Sequence, residues 1–288
     1  MNRKPEWLRV KYIEDPNREI VETILKKYKL NTICKEAHCP NSMECFSRKT
    51  ATFMILGTNC TRNCQFCNVS YNPPQAVDQN EPEMIAQAIK ELGLKYAVIT
   101  SVTRDDLPDG GAEHFAKLIR AVRNSSPETA VEVLIPDLRG NTDSLKVITD
   151  MSPDLISHNM ETVASLYQLI RPQAEYQRSL NMLRAIKEFN PGIRSKTGIM
   201  LGLGETKEEV CELFDDVRGT GCEFLTIGQY LAPSKKHFPV QEYIHPDIFE
   251  EYKEIAMSKG FCFTASAPFV RSSYHAWEAL ETQPLQRR

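Results

Sequence analysis

Short apolar, β-type runs alternate with amphipathic helical windows through residues 51–267, and this alternation restricts the fold more than any other feature. Strands are predicted at residues 52–57, 96–102, 130–135, 154–158, 194–200 and 223–227, with a last candidate at 261–265. The windows between them have 3.6-residue apolar periodicity, which predicts helices at residues 83–92, 113–123, 145–149, 163–170, 176–189, 207–218 and 245–257. Strict alternation of this kind implies a parallel sheet with right-handed crossovers.

Six or seven such units favour an α/β fold of the (β/α) barrel type, partial or complete, over two separate doubly wound sheets. Residues 1–50 form an N-terminal extension, with one predicted helix at 17–30 and then an irregular segment rich in Cys, Pro and Asn. Residues 51–267 form the barrel, and residues 268–288 form a C-terminal segment. In barrels the chemistry lies where strands end and loops begin, so we expect functional side chains there.

Composition excludes several classes of function. Hydrophobic residues make up 41% of the 288 residues and charged residues 25%, which is ordinary for a globular chain. The net charge of −3 and the absence of a basic stripe argue against a nucleic-acid partner. No apolar run reaches the length of a membrane helix, and the charged first residues do not resemble a secretory signal. We therefore expect a cytoplasmic protein without a membrane partner.

Nine cysteines in such a chain need an explanation, and six of them fall between Cys34 and Cys67. In a reducing compartment, clustered thiols indicate metal ligands or catalytic groups rather than disulfides. The other three are interpreted as core or partly buried thiols: Cys211, Cys222 and Cys262.

The first cysteine cluster follows the first predicted strand and consists of Cys60, Cys64 and Cys67. Three thiolates on one short loop can hold an iron–sulfur cluster and leave one iron open to another ligand. A structural zinc site with a distant fourth ligand is the alternative. The C-x3-C-x2-C spacing with Phe66 before the last cysteine resembles the signature of the radical S-adenosylmethionine (SAM) superfamily. The resemblance implies a radical SAM barrel whose 4Fe–4S cluster binds SAM and cleaves it to methionine and a 5′-deoxyadenosyl radical.

The second cluster lies upstream, in Cys34-Lys-Glu-Ala-His-Cys39-Pro-Asn-Ser-Met-Glu-Cys45. The alternative is that Cys34 and Cys39 only pack and that Cys45 is incidental. The segment from Cys34 to Cys45, together with Ala51-Thr-Phe-Met-Ile-Leu-Gly57, resembles the sequence of the lipoyl synthase family. The resemblance implies that the upstream triplet holds a second 4Fe–4S cluster, whose sulfide is the sulfur donor. The family's fourth ligand is the second serine of an Arg-Ser-Ser-Tyr motif, which here is Ser273 in Arg271-Ser-Ser-Tyr274.

Residues at the ends of predicted strands are candidates for contacts with SAM by the same resemblance. They are Ser101, Thr103, Asn159, Glu161 and Arg171, the last as a bidentate partner of the SAM carboxylate. The glycine-rich segment 198–205 resembles the adenine-contacting segment of the superfamily. For Asp105 and Asp106, capping or ion pairing is the alternative to a role in the site, and His158 is interpreted as a buried histidine.

The resemblance implies insertion of sulfur at carbons 6 and 8 of an octanoyl group carried on a lysine. The implied partners are an octanoylated lipoyl carrier domain, of a dehydrogenase complex or the glycine-cleavage system, and an electron donor such as flavodoxin or ferredoxin. Two departures from the family pattern, Phe46 in place of Trp and Ser266-Ala-Pro268 in place of a glycine-containing lead, affect packing at most. The alternatives are a radical SAM enzyme with another substrate, a two-cluster electron carrier and a zinc-stabilised binding module.

Overall fold

The computed structural model describes residues 4–9 and 15–273, and the chain divides into two compact units. The N-terminal unit comprises residues 12–62 and 68–156, and the C-terminal unit comprises residues 1–11, 63–67 and 157–288. The loop with the first cysteine cluster therefore contributes Cys60 to one unit and Cys64 and Cys67 to the other. The predicted division at residues 50 and 267 stays a prediction.

The N-terminal unit contains six α-helices among its described residues, and a short strand, β7 (Leu155–Ser157), lies at its boundary. Its helices and strands are α1 (Pro16–Lys27), β1 (Asn31–Thr32), α2 (Ile33–Glu36), α3 (Ser42–Ser47), β2 (Thr52–Ile55), β3 (Asn59–Cys60), β4 (Ser70–Tyr71), α4 (Glu81–Leu92), β5 (Tyr96–Ser101), α5 (Ala112–Ser125), β6 (Ala130–Leu134) and α6 (Thr142–Thr149).

Strands β2, β5 and β6 of the N-terminal unit are parallel neighbours, and β1 pairs with β2 in the antiparallel direction. The register aligns Ile55 with Ser101, so β2 and β5 end at the same edge. These strands are buried on both faces, as expected for parallel strands covered by helices, although Thr52, Thr100 and Glu132 are polar residues buried among them. Consequently, the chain leaves β2 toward Cys60 and leaves β5 toward Thr103 at one edge.

The C-terminal unit repeats the alternation with three parallel strands in the order β8-β9-β10. Its elements are α7 (Tyr167–Ile170), α8 (Tyr176–Phe189), β8 (Arg194–Leu201), α9 (Lys207–Arg218), β9 (Phe224–Gln229), α10 (Pro246–Ser258) and β10 (Phe263–Ser266). Helix α9 begins at the residue predicted because Thr206 and Glu209 form a reciprocal capping box. The aromatic rings of Phe224 and Phe263 pack edge to face, 6.1 Å apart, between β9 and β10.

Most predicted elements are confirmed to within a few residues, and the differences have local causes. Helix α1 ends three residues early because Lys29 adopts a left-handed backbone conformation, with φ of 53°. The segment predicted as irregular contains α2 and α3, and that part of the prediction was wrong. Thr32 caps α2 by accepting a hydrogen bond from the Lys35 amide, a start signal that the cysteine spacing obscured. Residues 163–170 form only a 3₁₀ turn and one helical turn.

A search of the described helices finds none that combines the length and the apolar character needed to cross a bilayer.

Gly228 provides a direct test of how the C-terminal segment packs on β9. A Cβ atom on this residue would lie 2.0 Å from the Val270 carbonyl oxygen, a backbone atom that cannot rotate away. We expect Gly228→Ala to lower the free energy of unfolding by about 1–3 kcal/mol, measured by chemical denaturation. Gly192→Ala is the control, because its nearest neighbour is the Asn190 side chain at 3.2 Å. Equal stability of the two variants would contradict this packing.

Candidate iron–sulfur centres

The loop that carries the first cysteine cluster is closed at its base by a short parallel pairing. Asn59 and Cys60 of β3 pair with Ser70 and Tyr71 of β4. The Asn59 side chain also donates a hydrogen bond to the Pro73 carbonyl, at 2.9 Å. The loop therefore leaves and re-enters the N-terminal unit at one fixed point.

The Cys60 sulfur accepts two backbone hydrogen bonds. The Thr103 amide lies 3.3 Å from Sγ and the Arg62 amide 3.4 Å from it. Thr61 connects the two donors, because its amide and its hydroxyl both donate to the Thr103 carbonyl at 3.0 Å. Hydrogen bonds to the ligand sulfurs are among the features that set the reduction potential of an iron–sulfur cluster.

Arg62 forms a buried ion-pair cluster inside the C-x3-C motif. Its guanidinium binds the Asp105 carboxylate through two nitrogens, at 2.7 and 2.8 Å, and Asp137 Oδ1 at 2.6 Å. The side chains of Arg62 and Asp137 are 4% and 0% exposed. Burial opposes the charged guanidinium, but the hydrogen bonds to Asp105 and Asp137 dominate and raise the pKa of Arg62. Arg62 is consequently a fixed positive charge between Cys60 and Cys64.

The turn between β2 and Cys60 is strained and held from both sides. Leu56 has φ of 67°, a left-handed conformation that is uncommon for a branched side chain. Its amide donates to Glu81 Oε2 at 2.9 Å, and its carbonyl accepts from Arg104 Nη1 at 3.1 Å. Glu81 is also 2.7 Å from His114 Nε2. Such conformations persist where the surroundings hold them, and they concentrate at functional sites.

The part of the loop that belongs to the C-terminal unit is anchored independently. The Gln65 amide donates to the Ile170 carbonyl at 2.9 Å, and the Asn63 amide donates to the Gln173 side chain at 2.7 Å. The Phe66 ring packs on the apolar cluster around Ile170, Leu203 and Tyr230. His237 Nε2 also donates a hydrogen bond to the Cys67 carbonyl at 3.1 Å. Phe66, the aromatic residue of the motif, therefore anchors this part of the loop by packing.

The upstream thiols lie close enough to influence one another. Burial, and then the charges of Cys34 and Cys39, raise the pKa of the Cys45 thiol to about 12. Burial raises the pKa of Cys34 to about 11; a hydrogen bond from the Thr52 backbone opposes this shift, and the charge of Cys39 adds to it. Three thiolates this close together repel one another unless cations compensate their charge. The donor set therefore fits iron, which binds the deprotonated form.

The two cysteine segments are joined by a side-chain hydrogen bond within the N-terminal unit. Asn68 follows Cys67 directly, and its Nδ2 donates to the Glu36 carbonyl at 2.7 Å. Glu36 lies between Cys34 and Cys39. The segment after the first triad is thus fixed to the backbone of the second.

Ligand geometry separates a cluster from a single ion. In residues 4–9 and 15–273, no three His, Cys, Asp or Glu side chains are arranged around one metal ion. Each thiolate of a 4Fe–4S cluster binds a different iron, so its ligand sulfurs do not meet at one point.

Three of the residues predicted to contact SAM come together in the C-terminal unit. Asn159 Nδ2 donates to Glu161 Oε1 at 3.0 Å, and Arg171 Nη1 donates to the Asn159 carbonyl at 2.9 Å. Burial raises the pKa of the Glu161 carboxyl, although the charge of Arg171 and the hydrogen bond from Asn159 oppose the shift. Arg171 Nη1 also binds the Met160 carbonyl and the Tyr167 hydroxyl, so it positions this loop.

The predicted residues of the N-terminal unit flank the end of β5. Ser101 is its last residue, and no hydrogen-bond partner for the buried Ser101 Oγ occurs among the described residues. Thr103 contributes its backbone to the cysteine loop, as described above. Asp105 and Asp106 form ion pairs with Arg62 and Arg104, as the ion-pairing interpretation predicts. The three scattered thiols are buried or partly buried, as predicted.

The C-terminal segment reaches the loop of Asn159. Ser272 Oγ donates to Asn159 Oδ1 at 3.0 Å, and the Gln229 amide donates to the Pro268 carbonyl at 3.2 Å. Ser273 is the last described residue and is partly buried. The remainder of the Arg-Ser-Ser-Tyr motif, Tyr274, lies outside the described residues.

Sequence reasoning missed Arg62, Asp137, Asn68 and Ser272 as contributors to these sites. For Asp137 a signal existed, because it comes two residues after the predicted strand 130–135 and so lies at the carboxyl edge. For Asn68 and Ser272 the sequence offers no signal beyond proximity to proposed ligands.

Comparison with known proteins agrees with this geometry. Residues 54–217 match the Radical SAM superfamily. The chain is 57% identical to the lipoyl synthase of Alkaliphilus metalliredigens (strain QYMF) over 281 residues, covering 98% of this chain and 97% of that one. It is 54% identical to the lipoyl synthase of Caldicellulosiruptor bescii, covering 95% and 94%.

A solved structure shows the same fold at low sequence identity. It is Streptococcus suis SuiB bound to S-adenosylmethionine, with a TM-score of 0.59 and 11% identity; 85% of this chain aligns with 56% of that longer one. The α/β fold predicted from the alternation of strands and helices is thereby confirmed, as is its radical SAM type, which the cysteine motif implied by resemblance. Identity above one half over nearly the full length goes further: the chain belongs to the lipoyl synthase family of the radical SAM superfamily.

Proposed function

We propose that this chain inserts sulfur at carbons 6 and 8 of an octanoyl group amide-linked to lysine, using two 4Fe–4S clusters and SAM. The observation that supports this most is the pair of cysteine triads, which are joined through the hydrogen bond from Asn68 to Glu36. An unactivated carbon cannot be deprotonated by side-chain bases, so its functionalisation needs chemistry supplied by a cofactor.

The first triad, Cys60, Cys64 and Cys67, is proposed to hold the cluster that binds SAM. When bound, this cluster supplies the electron that cleaves SAM to methionine and the 5′-deoxyadenosyl radical. The chain contributes the two amides that donate to Cys60 Sγ and the anchors at Gln65 and Phe66. These contacts hold the three ligands on a loop that has little secondary structure of its own.

The second triad, Cys34, Cys39 and Cys45, together with Ser273, is proposed to hold the other cluster. When bound, this cluster supplies the sulfide for both insertions. Cys34 is buried and Cys39 and Cys45 are partly buried, which limits the contact of their sulfurs with bulk water. A serine oxygen is a harder ligand than the three thiolates, so we infer that the bond from Ser273 to iron is the weakest of the four.

The SAM molecule is proposed to contact Ser101, Thr103, Asn159, Glu161 and Arg171. The buried Ser101 hydroxyl supports a polar ligand at the end of β5. The linked side chains of Asn159 and Glu161 supply an amide and a carboxylate suited to hydroxyl and amino groups. Arg171 carries the positive charge proposed for the SAM carboxylate.

The proposed partners are an octanoylated carrier domain and an electron donor such as flavodoxin or ferredoxin. The carrier domain belongs to a dehydrogenase complex or to the glycine-cleavage system. We propose a cytoplasmic location, because six clustered thiols that must remain available to iron require reducing conditions.

Substitution within each triad tests whether the first triad serves SAM cleavage and the second serves sulfur donation. We expect Cys60→Ala, Cys64→Ala or Cys67→Ala to abolish formation of methionine and 5′-deoxyadenosine from SAM. We expect Cys34→Ala, Cys39→Ala or Cys45→Ala to abolish lipoyl product while some SAM cleavage remains. The measurement is mass spectrometry of an octanoyl-lysine peptide incubated anaerobically with the reconstituted enzyme, SAM and dithionite.

Cys262→Ala is the matched control, because this partly buried thiol lies outside both triads. It should retain both activities. Full lipoyl product from an upstream variant would show that the sulfur comes from elsewhere.

The two neighbouring serines allow a second comparison. Ser273→Ala should reduce lipoyl product at least tenfold with little change in the KM for SAM. Ser272→Ala removes the hydrogen bond to Asn159, worth about 1 kcal/mol, and should raise the KM for SAM about fivefold. Steady-state kinetics of SAM cleavage and of lipoyl formation measure both. The reverse pattern would exchange the roles of the two serines.

A further inference from the structure

Both hydrogen-bond donors to Cys60 Sγ belong to backbone that one buried ion-pair cluster holds. The first is the amide of Arg62 itself. The second is the amide of Thr103, and its neighbour Asp105 both pairs with Arg62 and donates its amide to Thr61 Oγ1 at 3.0 Å. Displacement of the guanidinium would therefore disturb the backbone that carries both donors.

Only an arginine side chain at position 62 can make the observed contacts with both carboxylates. The planar guanidinium spans two carboxylates, with a bidentate contact to Asp105 and a single contact to Asp137. A lysine keeps the charge but has one side-chain nitrogen, so it cannot reproduce the bidentate contact with Asp105 together with the contact to Asp137. The free-energy cost of burying a charge is offset only when the ion-pair geometry is good and the remaining hydrogen-bonding groups have partners.

Asp137 is itself held by a strained loop. Leu138 and Arg139 both adopt left-handed conformations, with φ of 47° and 54°. Asp137 Oδ1 accepts from the Arg139 amide at 3.1 Å, and its carbonyl accepts from the Gly140 amide at 2.7 Å. Two consecutive non-glycine residues in this region indicate that the loop conformation is selected for something other than stability.

We propose that Arg62, Asp105 and Asp137 form a positioning clamp that keeps two N–H donors on Cys60 Sγ and thereby raises the reduction potential of the cluster at Cys60, Cys64 and Cys67. The inference rests on the proposed function of that triad. Donors aimed at a ligand sulfur stabilise the negative charge that the cluster gains on reduction, so their loss makes reduction harder. The three residues are positioning residues and do not contact SAM in this account.

Arg62→Lys tests the clamp, because it keeps the positive charge and removes the bidentate contact with Asp105. We expect the midpoint potential of the SAM-responsive cluster in the holoenzyme to become more negative, as measured by redox titration monitored by electron paramagnetic resonance. At a fixed potential the ratio of reduced to oxidised cluster should fall roughly tenfold, which corresponds to about 59 mV for a one-electron couple. An unchanged potential would overturn the clamp and leave only the charge of Arg62 as relevant.

Hydrogen exchange supplies a second measurement that does not need a redox-active variant. Arg62→Lys should speed amide exchange at residues 61–62 and 103–105, as detected by mass spectrometry, even if its cluster content is low. Unchanged exchange there would contradict the clamp. Arg123→Lys is the control, because Arg123 binds Asp154, Thr129 and Ser152, which lie outside the cysteine loop; it should leave the potential and the exchange at residues 61–62 and 103–105 unchanged.

Failure of this inference is distinguishable from failure of the proposed function. If wild-type protein showed no SAM-responsive cluster signal, the function proposed for the triad would be wrong. If wild type showed that signal and Arg62→Lys matched it in potential and exchange, only the clamp would be wrong.

Discussion

The protein must hold the cysteines of the first triad on a loop that has little secondary structure, and it does so by tying that loop to the carboxyl edge of parallel strands. The register of β2 and β5 brings the chain past Cys60 beside the chain past Thr103. Arg62 then fixes both through carboxylates that follow β5 and β6. In a low-dielectric setting such paired charges are rigid, since separating them leaves a buried charge without compensation.

The same principle extends to the upstream triad and to the C-terminal segment. Asn68 connects the segment after the first triad to Glu36, and Ser272 connects the Arg-Ser-Ser-Tyr motif to Asn159. In each case a short polar side chain crosses between loops that carry different proposed ligands. A fold assembled from repeated strand–helix units thus carries its specific chemistry in a few hydrogen bonds between loops.

The alternation of strands and helices was predictable because each element carries its own period and its own start and stop signals. Thr206 with Glu209 begins α9, and Gly93 ends α4, where the pattern predicts. The ligands were predictable as two triplets with a family resemblance. The clamp was not, because Arg62 and Asp137 are 75 residues apart and a single aspartate after a strand has many uses. The Ser272–Asn159 bond spans 113 residues and has no periodic signal. Such pairs depend on strand register, which apolar pattern alone does not fix.

The claim at the centre of this account is that the two cysteine triads bind two separate four-iron clusters. The most direct test is iron and acid-labile sulfide counting on anaerobically reconstituted protein, with a Cys34→Ala/Cys39→Ala/Cys45→Ala variant measured beside it. We expect about eight iron and eight sulfide per wild-type chain and about four of each in the variant. About four iron per wild-type chain, or zinc in place of iron, would contradict it.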